Sequence, residues 1–303
     1  MNSYYKELTE ALLKVDPSTS LSLANAIWAN KGVTLKNSFA EVNRSYYDAE
    51  ADTLDFSLLS ALQTINSWSN EKTKGTIPEI LDCLDENTLA ILANAIYFNS
   101  FWTTDFDKSK TVKKAFHNID GTTSSVPIMH QKQMMEYAQM DNCGMVTLPY
   151  ANGAFTMNLI LPEVGEDIDA LVEDLDRESW QIMRNHGSLP KVTLSMPRFK
   201  VENNLDNLVE ALKDMGMQKA FSNADFSAMF DDIDANISQV IQKSYISVDE
   251  AGTEAAAVTI AMWEVTLTGP PKEVTMVINR PFIFAITERS TGVILFMGKI
   301  TKL

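Results

Sequence analysis

Apolar residues recur at three- and four-residue spacing from the start of the chain. Tyr4, Tyr5, Leu8, Leu12 and Leu13 predict an amphipathic helix over residues 2–15, ended by Pro17 and its Ser/Thr neighbours. Residues 20–29 predict a strand leading to a Lys31–Gly32 turn, and residues 37–47 a second helix. A third helix is expected over 58–70, with Ala61, Leu62, Ile65 and Trp68 on one side. Residues 89–102 make the most apolar strand of the first half. Within it, Leu92-Ala-Asn-Ala-Ile-Tyr-Phe-Asn99 echoes Leu23-Ala-Asn-Ala-Ile-Trp-Ala-Asn30, with no third copy, so two similar strands of one sheet are expected rather than a solenoid. Strands follow over 126–135, 144–149 and 155–162, then one helix over 168–186 with Leu171, Leu175 and Trp180 toward the core. A strand over 194–201, a helix over 205–215 and a long strand over 237–249 come next. Residues 274–278, 282–286 and 293–297 read as three more strands, the last two joined by a turn at 288–292.

Between these strands lies a stretch with conflicting local signals. Ala255, Ala256 and Ala257 beside Glu254 favour helix, whereas Val258, Thr259 and Ile260 are β-branched and favour strand. Gly252 gives the backbone a pivot just ahead of them. In a strand, Thr253, Ala255, Ala257, Thr259 and Ala261 would share one face, and all five are small and uncharged. Glu254 would fall on the other face with Ala256, Val258, Ile260 and Met262. Such a segment can live as an exposed loop and also slide into a crowded sheet without burying a charge. A surface helix is the ordinary alternative, but strand-forming segments lie on both sides, and Gly269-Pro270-Pro271 ends regular structure.

Residues Glu250-Ala-Gly-Thr-Glu-Ala-Ala-Ala257 resemble the inhibitory hinge of the serpin family nearly residue for residue. Asn279-Arg-Pro-Phe-Ile-Phe284 and Leu295-Phe-Met-Gly-Lys-Ile300 resemble its C-terminal signature, and Phe221-Ser-Asn-Ala-Asp-Phe-Ser227 a signature loop. Asn66 and Trp68 with the following Lys72–Ile77 resemble the segment that carries a helix over the main sheet. The resemblance covers essentially the whole chain. It implies an α+β serpin fold over residues 1–303 as a single domain, with a large, mostly antiparallel central sheet, two smaller sheets and surrounding helices. Residues 250–271 would form the hinge and reactive-centre loop.

The resemblance also assigns roles. Glu250, Gly252, Thr253, Glu254, Ala255, Ala256 and Ala257 would form the hinge, and Asn94, Trp102, Arg198 and Gln242 would control opening of the central sheet. Arg198 would pair with Glu250, a bridge worth only about 0–1 kcal/mol if it is partly exposed. The scissile bond of inhibitory members lies sixteen positions beyond the hinge glutamate, which places it here at Thr266–Leu267, within the window 265–267. The implied activity is suicide inhibition of a serine, or alternatively a cysteine, protease, with an elastase-like or subtilisin-like target. The rival is a non-inhibitory member acting as a binding or storage protein. The sequence departs from the family in two places. Roughly the first quarter of the family's length has no counterpart, including the helix beneath the central sheet, and Gln242 stands where the family usually has histidine.

Composition narrows the partners. A formal net charge of −15 with 45% hydrophobic residues allows a large core and argues against nucleic acid or anionic membrane as partner. No apolar run approaches a membrane span, and Met1-Asn-Ser-Tyr4 shows no signal-peptide pattern. A monomer is expected, in a secreted, periplasmic or cell-surface setting with the signal outside this chain. Cys83 and Cys143 are too few for a disulfide framework, and each is expected to be a buried thiol. His117, His130 and His186 lack metal-ligand spacing, and no serine–histidine–aspartate grouping stands out, so neither metal, cofactor nor enzymatic activity is expected.

Overall fold

A computed structural model describes residues 1–205, 208–222, 224–230, 237, 240–253 and 272–303, without the side chains of 203–205 and 241. Chain order begins α1 (Asn2–Lys14), β1 (Ser20–Asn30), α2 (Asn37–Tyr47), β2 (Ala49–Leu54), α3 (Leu59–Lys72) and β3 (Ala90–Phe101). Next come β4 (Val112–His117), β5 (Thr123–Met134), β6 (Glu136–Gln139), β7 (Cys143–Pro149) and β8 (Phe155–Pro162). Helices α4 (Ile168–Asp174) and α5 (Arg177–Asn185) precede β9 (Lys191–Pro197), β10 (Phe199–Leu205) and α6 (Val209–Asp214). The chain closes with β11 (Ile241–Val248), β12 (Gly252–Thr253), β13 (Glu273–Val277), β14 (Phe282–Glu288) and β15 (Ile294–Ile300). This is an α+β protein with one larger mixed sheet and two smaller ones.

The chain forms two compact units, each assembled from separate segments. The first comprises residues 1–15, 20–98 and 201–246. Its β1 pairs with β2 in parallel, and the two echoing sequences lie side by side as β1 and β3. β11 joins β3 in parallel at Ile241↔Ala93 and Gln242↔Asn94. Helix α3 covers one face because Ala61, Ile65 and Trp68 recur at helical spacing and meet Ala24, Ala26 and Trp28 of β1 and Ala95 of β3. Trp68 meets Trp28 edge-on at 5.2 Å. Asn66 fixes the segment after α3: its Oδ1 accepts from the Ile80 and Leu81 backbone and its Nδ2 donates to the Leu81 carbonyl.

The second unit comprises residues 16–19, 99–200 and 247–303. It contains a four-stranded sheet ordered β13-β9-β5-β4 and a five-stranded sheet ordered β15-β14-β8-β7-β6. All eight residues of β8 are buried, so its sequence runs apolar without alternation. Its two polar positions are paired internally: Asn158 bonds to Thr147 and Thr287, and Thr156 to Thr287. Helices α4 and α5 pack Leu171, Trp180 and Met183 against this sheet.

Several expectations change. The helix expected over 168–186 is two helices, because Asp176 accepts from the Ser179 backbone N–H while Ser179 accepts from that of Asp176, a capping box that restarts the chain. The strand expected over 194–201 divides at Arg198, where the backbone turns to donate to Pro127 instead. Strand β11 is shorter than the 237–249 expected. Strands β2, β4 and β6 had no legible signal. Cys143 is buried against Met183 as expected, but Cys83 is exposed.

Candidate functional site: the seat of the hinge

The distal ends of β3 and β11, in the second unit, are where the conflicting stretch of sequence begins. Asp249 and Gly252 exchange backbone hydrogen bonds of 2.9 and 3.3 Å, and the Asp249 carboxylate accepts from the Ala251 N–H at 2.8 Å, so the chain leaving β11 reverses within four residues. The reversal feeds β12 back between its neighbours. Thr253 pairs antiparallel with Val248 on one side and with Ser100 on the other, and Gly252 pairs with Phe101. The first two residues of the small-residue stretch are therefore already a strand inside a sheet.

Gly252 is required by this geometry. Its φ is 144°, and a Cβ there would lie 2.3 Å from the Ser100 carbonyl oxygen and 2.5 Å from the Phe101 Cα. Thr253 is 2% exposed, on the inward face that the alternation assigns to it. Below it, Ser100 bonds to Thr19, whose hydroxyl donates to the Asp16 carboxylate at 2.7 Å, a buried polar chain that ties residues 16–19 to the end of β3.

Trp102, at the end of β3, clasps the reversal from the side. Its indole N–H donates to the Asp249 carbonyl and its backbone N–H to the Ala251 carbonyl, both at 2.9 Å. The Phe106 backbone donates to the Glu250 carbonyl at 2.9 Å. The Trp102 ring stacks on Tyr150 at 4.4 Å and 13°, and the Tyr150 hydroxyl meets the Thr253 hydroxyl at 2.7 Å.

The expected Arg198–Glu250 pair is formed. Both Nε and an Nη of Arg198 donate to the same Glu250 oxygen, at 2.8 and 2.6 Å, and the Thr111 hydroxyl donates to that oxygen as well. The pair is lopsided: Arg198 is 42% exposed and Glu250 only 1%. The second Glu250 oxygen is buried with no partner among the described residues. Burial alone would raise the Glu250 pKa, but the hydrogen bonds from Arg198 and Thr111 together outweigh it and hold the carboxyl below its ordinary value. A carboxylate this buried makes the bridge more consequential than the exposed pair the sequence suggested.

Asn94 and Gln242 lie in the first unit. They face each other in the β3–β11 register and line a cavity of about 370 Å³. Asn94 donates to the Asn25 side chain at 2.9 Å, joining β3 to β1. Glu254, Ala255, Ala256, Ala257 and the bond Thr266–Leu267 lie outside the described residues. Sequence reasoning missed Tyr150, Thr111 and Asp16. Tyr150 follows Leu148-Pro149 in an unremarkable turn, and its partner Thr253 is 103 residues away, so no local pattern could have joined them. Elsewhere, His130 Nδ1 meets the Ser195 hydroxyl at 2.8 Å across the β5–β9 pair, but Ser195 is 7% exposed and no carboxylate among the described residues bonds to the imidazole. Burial, with Lys114 nearby, lowers the His130 pKa. That pair lacks the third member of a catalytic triad.

Three sheets with surrounding helices, and Gly252–Thr253 seated as a short strand between β11 and β3, define an α+β fold class. The profile of the family described as Serpin (serine protease inhibitor) matches residues 1–303, and the chain belongs to the serpin family. It is 34% identical over 300 residues to Serpin-Z2A of Triticum aestivum, an alignment covering 94% of this chain and 75% of that protein. Tengpin, a thermophilic serpin solved in the native state, is similar at a TM-score of 0.89 and 29% identity, covering 100% of this chain and 78% of that one. Thyroxine-binding globulin in complex with thyroxine is similar at 0.86 and 30%, covering 99% and 80%. Serpins are generally protease inhibitors rather than catalysts.

Proposed function

We propose that this chain is a suicide inhibitor of serine proteases that traps its target by loop insertion, with Thr266–Leu267 as the bond attacked. The protease nucleophile forms an acyl-enzyme at that bond. Cleavage frees the hinge, and residues 254–265 extend the strand that Gly252 and Thr253 begin, as serpin loops do. At about 3.3 Å per residue this carries the tethered protease roughly 40 Å. Distortion at the far end separates the acylated serine from its histidine and oxyanion hole, and deacylation needs both.

One observation carries the reading: Gly252 and Thr253 already occupy the slot between β11 and β3, with Thr253 buried. Uncharged, small residues at positions 253, 255, 257, 259 and 261 allow the same strand to continue inward. The alternative is a non-inhibitory serpin that binds or stores a ligand, which likeness to thyroxine-binding globulin supports. Bulky or charged inserting faces would suit that role better than the face found here. The test is a gel. Mixing with an elastase-like or subtilisin-like serine protease should give a band of summed mass that survives SDS. Quantitative loop cleavage with no such band across both protease types would favour the binding role.

A further inference from the structure

Building on the insertion reading, we infer that Tyr150 is a positioning residue whose hydroxyl latches Thr253, holding the intact hinge in the sheet and fixing the register in which the rest of the strand enters. Tyr150 is fully buried and cannot move independently of β3. Its ring stacks on Trp102, it forms a bridge with that residue, and the next residue, Ala151, donates to the Phe101 carbonyl at 2.9 Å. Its own N–H donates to Phe155 at 2.9 Å, which ties it to β8. The phenol oxygen is thus held at one point beside the slot, 2.7 Å from the Thr253 hydroxyl. Burial pushes the phenol pKa far above its ordinary range, so the group remains a hydrogen-bonding O–H at any physiological pH.

Register is where this single bond acts. A strand shifted by one residue would turn its other face inward and bring Glu254 or Gly252 opposite the phenol. A shift of two would bring Ala255, which offers no side-chain partner, so the bond that Thr253 makes to the phenol would be lost. Thr253 is the only position in the stretch 250–258 with a hydroxyl, so the latch closes in one register alone. Sequence alternation says which face goes inward; Tyr150 says where along the sheet the strand starts.

The test uses Tyr150→Phe, which keeps the ring and its stack, and Thr253→Val, which alters only the hinge side. Amide hydrogen exchange of residues 250–253 in the uncleaved protein should rise roughly 3- to 10-fold in either variant, the amount expected for losing one hydrogen bond. The double variant should exchange no faster than the faster single, because both remove the same contact. Thr253→Ser, which retains a hydroxyl, should stay close to wild type. The number of inhibitor molecules consumed per trapped protease should rise about 2- to 5-fold in Tyr150→Phe. Unchanged exchange in both single variants, or additive effects in the double, would overturn the latch. Exchange changes of the expected pattern in a wild-type background that never traps protease would leave the latch standing and refute inhibition.

Discussion

Glu250 makes the hinge sensitive to acid. Its folded carboxyl lies below the ordinary value of 4.5, because bonds from Arg198 and Thr111 favour the charged form more than burial opposes it. A carboxyl depressed on folding contributes stability that is fully present above its unfolded pKa and is lost as pH falls through the folded value. Acidification below about pH 4.5 should therefore speed amide exchange across residues 249–253 in the intact protein, and Arg198→Ala should flatten that dependence. At neutral pH the same substitution should destabilise the intact form by about 1–3 kcal/mol, between the values for exposed and fully buried pairs, because it strands a buried carboxylate beside a solvent-facing gap. Urea melts of the two proteins at pH 7 check the magnitude, and no change would mean that Thr111 alone satisfies Glu250. Gly252→Ala tests backbone space in place of charge. A Cβ there would meet Ser100 and Phe101 backbone, and neither can yield, so β12 should leave the sheet. The expected sign is loss of protection at Thr253 with little change in protection of β14. At this scale the sequence was legible where a family motif marks both partners, as with Glu250 and Arg198, although they lie 52 residues apart, and silent where a contact joins distant, unpatterned residues, as with Tyr150 and Thr111.

Strands and helices were legible to the extent that burial followed their own period. Helices α1, α2 and α3 and strands β1, β3, β7 and β8 lie within a residue or two of the periodicity; α3 buries Ala61, Ile65 and Trp68 on one face and β8 is wholly buried, whereas α1 buries only Leu12 and α2 only Ala40. The strands that escaped notice share the opposite property. In β4 only Phe116 is buried while Val112, Lys113 and Lys114 face solvent, a charged edge with no apolar alternation to read. The break between α4 and α5 depends on a side-chain cap inside a continuous helical pattern, which hydrophobic spacing does not encode. For β12 the alternation did forecast an inward face, and Thr253 lies on it. That placement sharpens the outcome of Thr253→Arg. The guanidinium would have to enter a site now filled by a hydroxyl against Tyr150, and burying an unpaired charge costs several kcal/mol. Hinge docking should be lost before cleavage and insertion slowed after it. On a gel the variant should run as cleaved product with little SDS-stable complex, and trapping at wild-type stoichiometry would mean that position 253 does not face the sheet interior during insertion.

At the scale of the whole molecule, Gly252 and Thr253 satisfy the beginning of a strand that, on the insertion reading, cleavage would complete. Gly252 and Thr253 have neighbours on both sides, and Thr253 alone contributes a hydroxyl bond and a buried inward side chain. On the insertion reading, the residues from 254 to 265 gain equivalent pairing only after the loop is cut, because until then its far end is tethered to β13. Each backbone hydrogen bond so formed is worth about 0.5–1.5 kcal/mol net, and the small inward face adds burial without a desolvated charge. Completing the strand should thus stabilise the cleaved form by several kcal/mol beyond the intact one. For a chain of 303 residues a kilocalorie moves the melting temperature by about 1–2 °C, so cleavage at Thr266–Leu267 should raise it by roughly 5–15 °C. Calorimetry on the intact protein and on the same protein nicked by a protease at that bond makes the comparison directly, with mass spectrometry to confirm the cut. The docked hinge makes the comparison discriminating, because both forms begin with Thr253 seated and any difference belongs to the residues beyond it. Equal melting temperatures would mean that the strand stops at Thr253 in both forms, and a serpin whose loop stops there has no stroke with which to displace a protease.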